Sequence, residues 1–291
     1  MVNLEHKVRV LGASVHVVDL AEAAQIIVTW VAECRAARIS GRLPACRYVV
    51  TPNLDHAVML RTNPDFREAY VGASLSVADG MPLVWASKMF GNPLPGRVPG
   101  SDLVPDVFVS SPAGTTVFLL GASEESSKVA AQAITERYPQ LRVVGRLSPP
   151  MGFEHSADWS GQIVDQIEAS AADLVIVGLG APKQELWVAR HASRLPGTTV
   201  LCAGATIDFL SGTVQRAPVW AQRTGLEWFH RMVSDPKRLI KRYTKDAVYF
   251  PLLLANDAWA KWGNNSSRSS HLVPQCADSA PEEGKNRQPD Q

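Results

Sequence analysis

The chain has 291 residues, of which 46% are hydrophobic and 20% charged, and this composition is typical of a soluble globular protein with a large core. Its formal net charge of +1 excludes a general polyanion binder, and its four widely spaced cysteines form no CxxC pair, so neither a zinc site nor a disulfide framework is supported. Because the N-terminus shows no secretory signal and no apolar run reaches the ~18 residues of a membrane-spanning helix, we expect a cytoplasmic protein.

Apolar runs typical of strands alternate along the chain with segments of helical periodicity. The predicted strands are Val8–Leu11, Arg47–Thr51, Ser74–Ala78, Thr116–Leu120, Arg142–Arg146, Leu174–Val177 and Thr199–Ala203. The predicted helices are Leu20–Ala36, Asp55–Arg61, Pro64–Tyr70, Pro82–Met89, Ser123–Tyr138, Ser160–Ala171 and Lys183–Leu195. This alternation predicts a Rossmann-like α/β fold, with a mostly parallel sheet and helices on both of its faces.

Changes in composition divide the chain into three predicted parts. Residues 1–212 carry the strand and helix pattern, and a stretch rich in Ser, Pro and Gly near residues 110–114 predicts two halves, about 1–110 and 111–212. Residues 213–262, the C-terminal segment, contain nine Lys/Arg against four Asp/Glu together with several aromatic residues. Residues 263–291 contain few apolar residues and are expected to be disordered.

The most informative stretch is GLGAPKQELW at residues 178–187, directly after a predicted strand. Its glycines allow a ligand to approach the backbone closely, and the free N–H groups of the helix start, together with Lys183, favour a phosphate. The spacing matches neither the dinucleotide-binding fingerprint nor the Walker loop. A simple turn that closes a strand is the alternative interpretation.

Polar residues also follow two earlier predicted strands. Thr51 and Asn53 leave a strand in a turn fixed by a proline and could bind sugar hydroxyls, although capping of the next helix is an alternative role for Asn53. Asp79 ends another strand beside Gly80 and Pro82. This position suits a general base, because a partly dry cleft would raise the pKa of the carboxyl group towards working pH. The alternative role for Asp79 is to cap the helix that begins at Pro82.

Two further residues are candidates for contacts with a nucleotide. Arg97 lies among prolines and glycines, so a rigid loop could present its guanidinium group to a phosphate or carboxylate, and a surface salt bridge is the alternative. Asp208 follows the last predicted strand and could accept hydrogen bonds from ribose hydroxyls, or it could cap a helix. The chain has no Asp-x-Asp, HxxxH, HxH or GxSxG motif, so the sequence supports neither a metal-chelated nucleotide diphosphate nor an α/β-hydrolase.

The C-terminal segment combines bases, apolar residues and aromatics in that order. Its bases are Arg231, Lys237, Arg238, Lys241, Arg242 and Lys245. An apolar run at residues 247–255 follows, and Trp259 and Trp262 end the segment. This order is typical of a peripheral segment that meets an anionic membrane surface. An amphipathic helix that packs on the core is the alternative, and nucleic-acid binding is less consistent with the apolar run.

Six motifs taken together resemble the WecG/TagA/CpsF family of bacterial glycosyltransferases over roughly residues 8–255. They are TPN at 51–53, ADGMP at 78–82, RVPGSD at 97–102, GAPKQE at 180–185, RAPVW at 216–220 and GLEW at 225–228. The chain departs from the family pattern at Gly96, where an acidic residue is common. Two other classes remain as alternatives, a Rossmann oxidoreductase and a non-catalytic scaffold at the membrane.

The resemblance implies an inverting, metal-independent transfer of a sugar from a UDP-sugar to a polyprenyl-diphosphate-linked sugar. The reaction would take place at the inner face of the cytoplasmic membrane during surface polysaccharide synthesis, without a cofactor. The donated sugar would be N-acetylmannosamine, its uronic acid or glucose.

The resemblance also implies roles for individual residues. Asp79 would be the general base, and Asp208 would bind the ribose. Arg231 and Arg238 would hold the lipid diphosphate. The remaining substrate-binding residues would be Thr51, Asn53, Arg97, Gln184 and Glu185.

Overall fold

A computed structural model describes residues 4–218, 221, 232, 244 and 247–259 of the chain. The strands are β1 Lys7–Val10, β2 Ala13–His16, β3 Arg47–Val50, β4 Leu75–Ser76, β5 Thr115–Gly121, β6 Leu141–Leu147, β7 Leu174–Gly178 and β8 Thr199–Cys202. The α-helices are α1 Leu20–Ser40, α2 Leu54–Thr62, α3 Pro64–Val71, α4 Met81–Met89, α5 Gly100–Ser110, α6 Glu124–Arg137, α7 Ala157–Ser170, α8 Lys183–His191 and α9 Thr206–Leu210. Residues 247–259 are also helical.

Six parallel strands form the central sheet in the order β4-β3-β8-β7-β5-β6. The sheet strands are mostly apolar, as expected when helices cover both faces. Alternate residues of β5 show this, because Val117 and Leu119 belong to one buried cluster while Phe118 and Leu120 belong to another. The predicted α/β fold with a parallel sheet and helices on both faces is confirmed.

Different helices cover the two faces of the sheet. Residues of α1, α5, α6 and α9 build the cluster on one face, and residues of α7 and α8 build the cluster on the other. The longest of these helices, α1, begins at a capping box in which Asp19 and Glu22 each accept the backbone N–H of the other. It ends at Gly41, whose left-handed backbone (φ 73°) favours glycine.

The predicted division near residue 110 does not separate two sheets. Strands β3 and β4 precede it and β5 to β8 follow it, yet β3 pairs directly with β8 in parallel register, with Val49 opposite Leu201. Both predicted halves therefore contribute to one continuous sheet, and their loops share one edge.

A hairpin at the N-terminus extends this core. Strands β1 and β2 pair antiparallel across Leu11 and Gly12, which both have positive φ. The hairpin is held against β4 by a buried contact in which Ser76 N–H donates to His16 Nδ1 at 3.0 Å. Burial lowers the pKa of His16, which favours the neutral ring that this hydrogen bond requires.

The described part of the C-terminal segment packs against the core. Leu253 is 1% exposed in a third cluster with residues of the hairpin, α2, α3 and α4. Asp257 Oδ2 accepts the backbone N–H of Leu11 at 2.6 Å, so helix 247–259 is tied to the hairpin turn. Val248, Leu252 and Trp259 of the same helix are exposed. Among the described residues, no helix is long and apolar enough to span a membrane.

One strand and two α-helices of the described residues were not predicted from the sequence. Strand β2 follows β1 after only two residues, α5 contains Pro105, and α9 has only five residues. The predicted strand at Ser74–Ala78 is shorter in the structure, where β4 covers Leu75 and Ser76 alone. Residues 219–220, most of 222–246 and the predicted tail at 263–291 lie outside the described residues.

Glycines allow the ends of the central strands to approach each other closely. A Cβ added to Gly178 would lie 2.8 Å from the carbonyl oxygen of Gly204 and 3.0 Å from Ile207 Cδ1. A Cβ added to Gly121 would lie 2.5 Å from the carbonyl oxygen of Gly178. The nearest neighbour in each case is a backbone atom, which cannot yield as a flexible side chain can.

We expect Gly178→Ala to lower the free energy of unfolding by about 1–3 kcal/mol, because the added methyl group overpacks this junction. Urea unfolding would measure the loss. The control is Gly161→Ala in α7, where a Cβ meets nothing within 4 Å and helix propensity favours alanine. The explanation is wrong if Gly178→Ala is as stable as Gly161→Ala.

Candidate active site

The candidate site lies at the carboxyl edge of the sheet, where the loops after β4, β3, β8 and β7 lie side by side. In parallel α/β sheets ligands bind outside this edge, because polar loop residues and helix starts meet there. These four loops and the helix starts that follow them carry six of the predicted site residues, which are Asp79, Thr51, Asn53, Asp208, Gln184 and Glu185.

Asp79 is joined to the loops on both sides of it by backbone hydrogen bonds. Its own N–H donates to Pro52 O at 2.8 Å, and Val98 N–H donates to Ala78 O at 2.6 Å. The first bond places Asp79 beside the loop that carries Asn53, and the second places it beside the segment that carries Arg97. Three of the predicted site residues are therefore brought together.

Asp79 is not the N-cap residue of α4. The N-cap is Gly80, whose φ of 137° few other residues adopt and which has no side chain to cap the helix. A Cβ added to Gly80 would lie 3.9 Å from Asn53 Cβ, so the two turns are in contact. Asp79 is half-buried, and the alternative interpretation of it as the cap of α4 is wrong.

The residues after β3 have structural partners of their own. Asn53 is the N-cap of α2, and its side-chain oxygen accepts the N–H of His56 at 3.2 Å. Thr51 is buried and donates its hydroxyl hydrogen to Cys202 O at 3.3 Å, which ties the end of β3 to the end of β8. The capping role considered for Asn53 is therefore present, and it holds the side chain in a fixed position beside the turn of Asp79.

Gln184 and Glu185 are buried rather than open to the site. Gln184 is 2% exposed and Glu185 0%. The Gln184 amide donates from Nε2 to Glu185 Oε1 at 2.8 Å, and its Oε1 accepts the N–H of Gly204 at 3.2 Å. The amide thus connects the first turn of α8 to the turn after β8.

Glu185 lies in an environment that disfavours its charged form. Burial raises the pKa of Glu185 to about 7, against an ordinary value of 4.5, although the hydrogen bond from Gln184 works in the other direction. Its Oε2 atom has no hydrogen-bond partner among the described residues.

Burial likewise raises the pKa of Tyr70 well above 10, and the charges of Glu185 and Asp79 add to the rise. A neutral Tyr70 hydroxyl therefore lies within the electrostatic reach of both carboxyl groups and contacts His56 Nδ1 at 2.5 Å.

The raised pKa of Glu185 makes a prediction about stability and pH. Between about pH 4.5 and pH 7 the unfolded chain releases the proton of Glu185 while the folded chain retains it. Glu185 therefore lowers the free energy of unfolding as the pH rises through this window, by a total on the order of a few kcal/mol. Since Glu185→Gln removes the titration, we expect its stability relative to wild type to increase from pH 5 to pH 8. Urea unfolding at both values tests this, and a difference that does not change with pH would contradict it.

Arg97 and Asp208 approach the site from two neighbouring segments. A Cβ added to Gly100 would lie 3.1 Å from Ala203 Cα, so the segment after Arg97 packs on the turn after β8. Arg97 and Asp208 are both half-buried. Asp208 lies within α9, whose N-cap is Ala205, and so it does not cap that helix.

Two ion pairs at this edge were not predicted from the sequence. Lys183 Nζ lies 2.5 Å from Glu154 Oε1, and this pair lowers the pKa of Glu154. Arg216 pairs with Asp102 in the first turn of α5, which joins the start of the C-terminal segment to the core. The partners in each pair are far apart in the chain, and no local pattern marks such distant pairs. Arg231 and Arg238 lie outside the described residues.

Comparison with known proteins identifies the family. A model of the glycosyl transferase WecG/TagA/CpsF family matches residues 8–264. Two curated relatives are the N-acetylglucosaminyldiphosphoundecaprenol N-acetyl-beta-D-mannosaminyltransferases of Staphylococcus aureus strains MW2 and NCTC 8325. The chain is 30% identical to each over 193 residues, which cover 66% of this chain and 74% of the relative.

The parallel sheet, the polar residues at its carboxyl edge and these matches define the protein as a glycosyltransferase. The chain belongs to the WecG/TagA/CpsF family, as the resemblance of its motifs predicted. Family membership decides against the oxidoreductase and the non-catalytic scaffold, the two alternatives left open by the sequence.

Proposed function

We propose that the protein transfers a sugar from a UDP-sugar to a polyprenyl-diphosphate-linked sugar, with inversion at the anomeric carbon and without a metal ion. The observation that carries this proposal is the position of Asp79. Backbone hydrogen bonds fix its turn between the loop of Asn53 and the segment of Arg97 at the carboxyl edge of the sheet.

In the proposed reaction Asp79 acts as the general base. Its carboxylate accepts the proton of an acceptor hydroxyl while that oxygen forms a bond to the anomeric carbon of the donor. The bond from the anomeric carbon to the diphosphate oxygen breaks, and UDP leaves with the electron pair. Attack from the face opposite to UDP inverts the configuration.

The charge on the departing diphosphate would be stabilised by protein groups. The start of α8 has no side-chain cap, and its dipole favours an anion at the carboxyl edge. The N–H of Gln184 already donates to Gly180 O at 3.1 Å, so the dipole rather than this N–H would act on the anion. Arg97 from the neighbouring loop adds a guanidinium group suited to phosphate oxygens. Preorganised donors of this kind are among the strongest contributions to catalysis. Asp208, at the same edge, would accept hydrogen bonds from the ribose.

Acceptor binding would involve the C-terminal segment. Arg231 and Arg238 are proposed to bind the lipid diphosphate. Val248, Leu252 and Trp259 are exposed on helix 247–259, whose opposite side packs on the core. Apolar and aromatic side chains next to a basic stretch favour contact with an anionic membrane. We therefore propose that the protein works at the inner face of the cytoplasmic membrane.

The relatives suggest which substrates to try first. Their names specify transfer of N-acetylmannosamine to N-acetylglucosaminyl-diphospho-undecaprenol. We propose the same pair here, with mannosaminuronate and glucose as alternative donated sugars.

Incubation of the full chain with each UDP-sugar and polyprenyl-diphosphate-linked N-acetylglucosamine tests the proposal. Mass spectrometry should detect an acceptor that has gained one sugar, also in the presence of a chelator. NMR should show a β linkage formed from an α-linked donor. Absence of product with every donor, loss of activity with the chelator, or an α linkage would each contradict a stated part of the proposal.

A further inference from the structure

The Gln184 side chain bridges two loops of the site through both ends of its amide. Nε2 donates to Glu185 Oε1 at 2.8 Å, and Oε1 accepts the backbone N–H of Gly204 at 3.2 Å. With Gln184 only 2% exposed, these protein contacts rather than water determine its position.

This bridge functions in only one orientation of the amide. A glutamine amide has donors at one end and an acceptor at the other, and rotation by 180° exchanges them. After such a rotation the Gln184 NH₂ group would face the N–H of Gly204, so two donors would oppose each other. A hydrogen-bond acceptor beside Nε2 disfavours this rotation, and that acceptor is Glu185 Oε1.

The peptide held by this amide is central to the site. Gly204 adopts a positive φ of 56° in the turn that leads to Asp208. Its carbonyl oxygen would lie 2.8 Å from a Cβ at Gly178, the last residue of β7. The preceding residue, Ala203, contacts Gly100 just after the Arg97 loop. A shift of the Gly204 turn would therefore move the surroundings of Asp208, Arg97 and the start of α8 together.

We propose that Glu185 is a positioning residue, which selects the orientation of the Gln184 amide and through it fixes the Gly204 turn for donor binding. The side chain of Glu185 has no exposed surface, so this role differs from the direct substrate contact predicted from the sequence. The catalytic consequence rests on the proposed function, whereas the effect on Gly204 does not.

The test compares Glu185→Leu with Glu185→Gln, alone and combined with Gln184→Met. Glutamine at position 185 keeps a carbonyl acceptor for Gln184 Nε2, while leucine removes it at similar volume. We expect Glu185→Leu to lower kcat/KM for the UDP-sugar on the order of 10²-fold, because small displacements of binding groups have effects of this size. Glu185→Gln should stay within about threefold of wild type, since the acceptor is retained. In the Gln184→Met background, the addition of Glu185→Leu should lower kcat/KM by less than about threefold further, because the effects of residues that act through one another are not additive.

Amide hydrogen exchange at Gly204 provides a measurement that does not depend on activity. Loss of a hydrogen bond of ordinary strength should speed exchange about tenfold in Glu185→Leu and in Gln184→Met, but not in Glu185→Gln. If Glu185→Leu does not fold, Glu185→Met offers a more adaptable side chain for the same comparison. The Gln184→Met variant alone must still speed exchange at Gly204.

Several results would overturn the proposal. One is unchanged amide exchange at Gly204 in Gln184→Met or Glu185→Leu. Another is a loss of kcat/KM in Glu185→Gln as large as in Glu185→Leu. The third is an equal effect of Glu185→Leu on kcat/KM in the wild-type and Gln184→Met backgrounds. Failure of the wild-type chain to form product would instead contradict the proposed function, and the exchange measurements would still decide the role of Glu185.

Discussion

Replacement of Asp79 by asparagine is expected to lower turnover by ~10²–10⁴-fold, because it removes proton transfer from the acceptor hydroxyl. UDP binding should persist, since the turn at Gly80 and its backbone hydrogen bonds to the neighbouring loops do not require the carboxylate. Initial rates with the lipid-linked acceptor measure the first effect, and isothermal titration calorimetry with UDP measures the second.

The matched control for this prediction is Asp165→Asn in α7. The Asp165 side chain is 67% exposed and pairs with Arg194, and surface pairs of this kind contribute little to stability. This variant should retain wild-type turnover. Near-normal turnover in Asp79→Asn would show that another group removes the proton. Joint loss of turnover and UDP binding would show that Asp79 binds the donor instead.

The second large effect is expected from the double variant Arg231→Ala/Arg238→Ala. Each hydrogen bond to a charged group contributes about 1.5–3 kcal/mol, so loss of two contacts to the lipid diphosphate should lower kcat/KM for the acceptor by ~10²-fold or more. The KM for the UDP-sugar should change little. Steady-state kinetics with each substrate varied in turn would separate the effect on the acceptor from the effect on the UDP-sugar.

The control variant Arg137→Ala/Arg142→Ala removes the same charge from the opposite, amino edge of the sheet. Both residues are exposed, one at the end of α6 and the other near the start of β6. The fraction of protein that sediments with phosphatidylglycerol vesicles should fall in the Arg231→Ala/Arg238→Ala variant and not in this control. Equal kinetic losses in the two double variants would mean that overall charge, rather than Arg231 and Arg238, governs acceptor use.

The main features of the sheet could be predicted from the sequence because they depend on local patterns. The apolar runs at Thr116–Leu120 and Leu174–Val177 correspond closely to β5 and β7, since strands covered on both faces are continuously apolar. Helix α5 was not predicted; it contains an internal proline, Pro105, and begins with Gly-Ser-Asp, and none of these residues favours a helix interior. Its buried residues nevertheless have helical spacing, which is a signal that could have found it; they include Leu103, Val104, Val107 and Phe108.

The candidate site was predictable only in part, because some of its features depend on local patterns and others on contacts between distant residues. The polar residues after β3 and β4 were identified because a strand end is visible locally and parallel strands share one carboxyl edge. The orientation of the Gln184 amide depends on Gly204, 20 residues away, and the pair of Lys183 depends on Glu154. Such contacts are set by tertiary packing, and no spacing in the sequence encodes them.

The proposed mechanism requires that Asp79 and the glycine-proline turn at residues 180–182 face one bound donor. A crystal structure of the Asp79→Asn variant with an intact UDP-sugar tests it most directly. We expect a diphosphate at the start of α8. We also expect the substituted amide to lie within hydrogen-bonding reach, about 3 Å, of the place where an attacking hydroxyl must lie beside the anomeric carbon. A donor bound away from this edge of the sheet, or a substituted side chain turned into the protein interior, would contradict it.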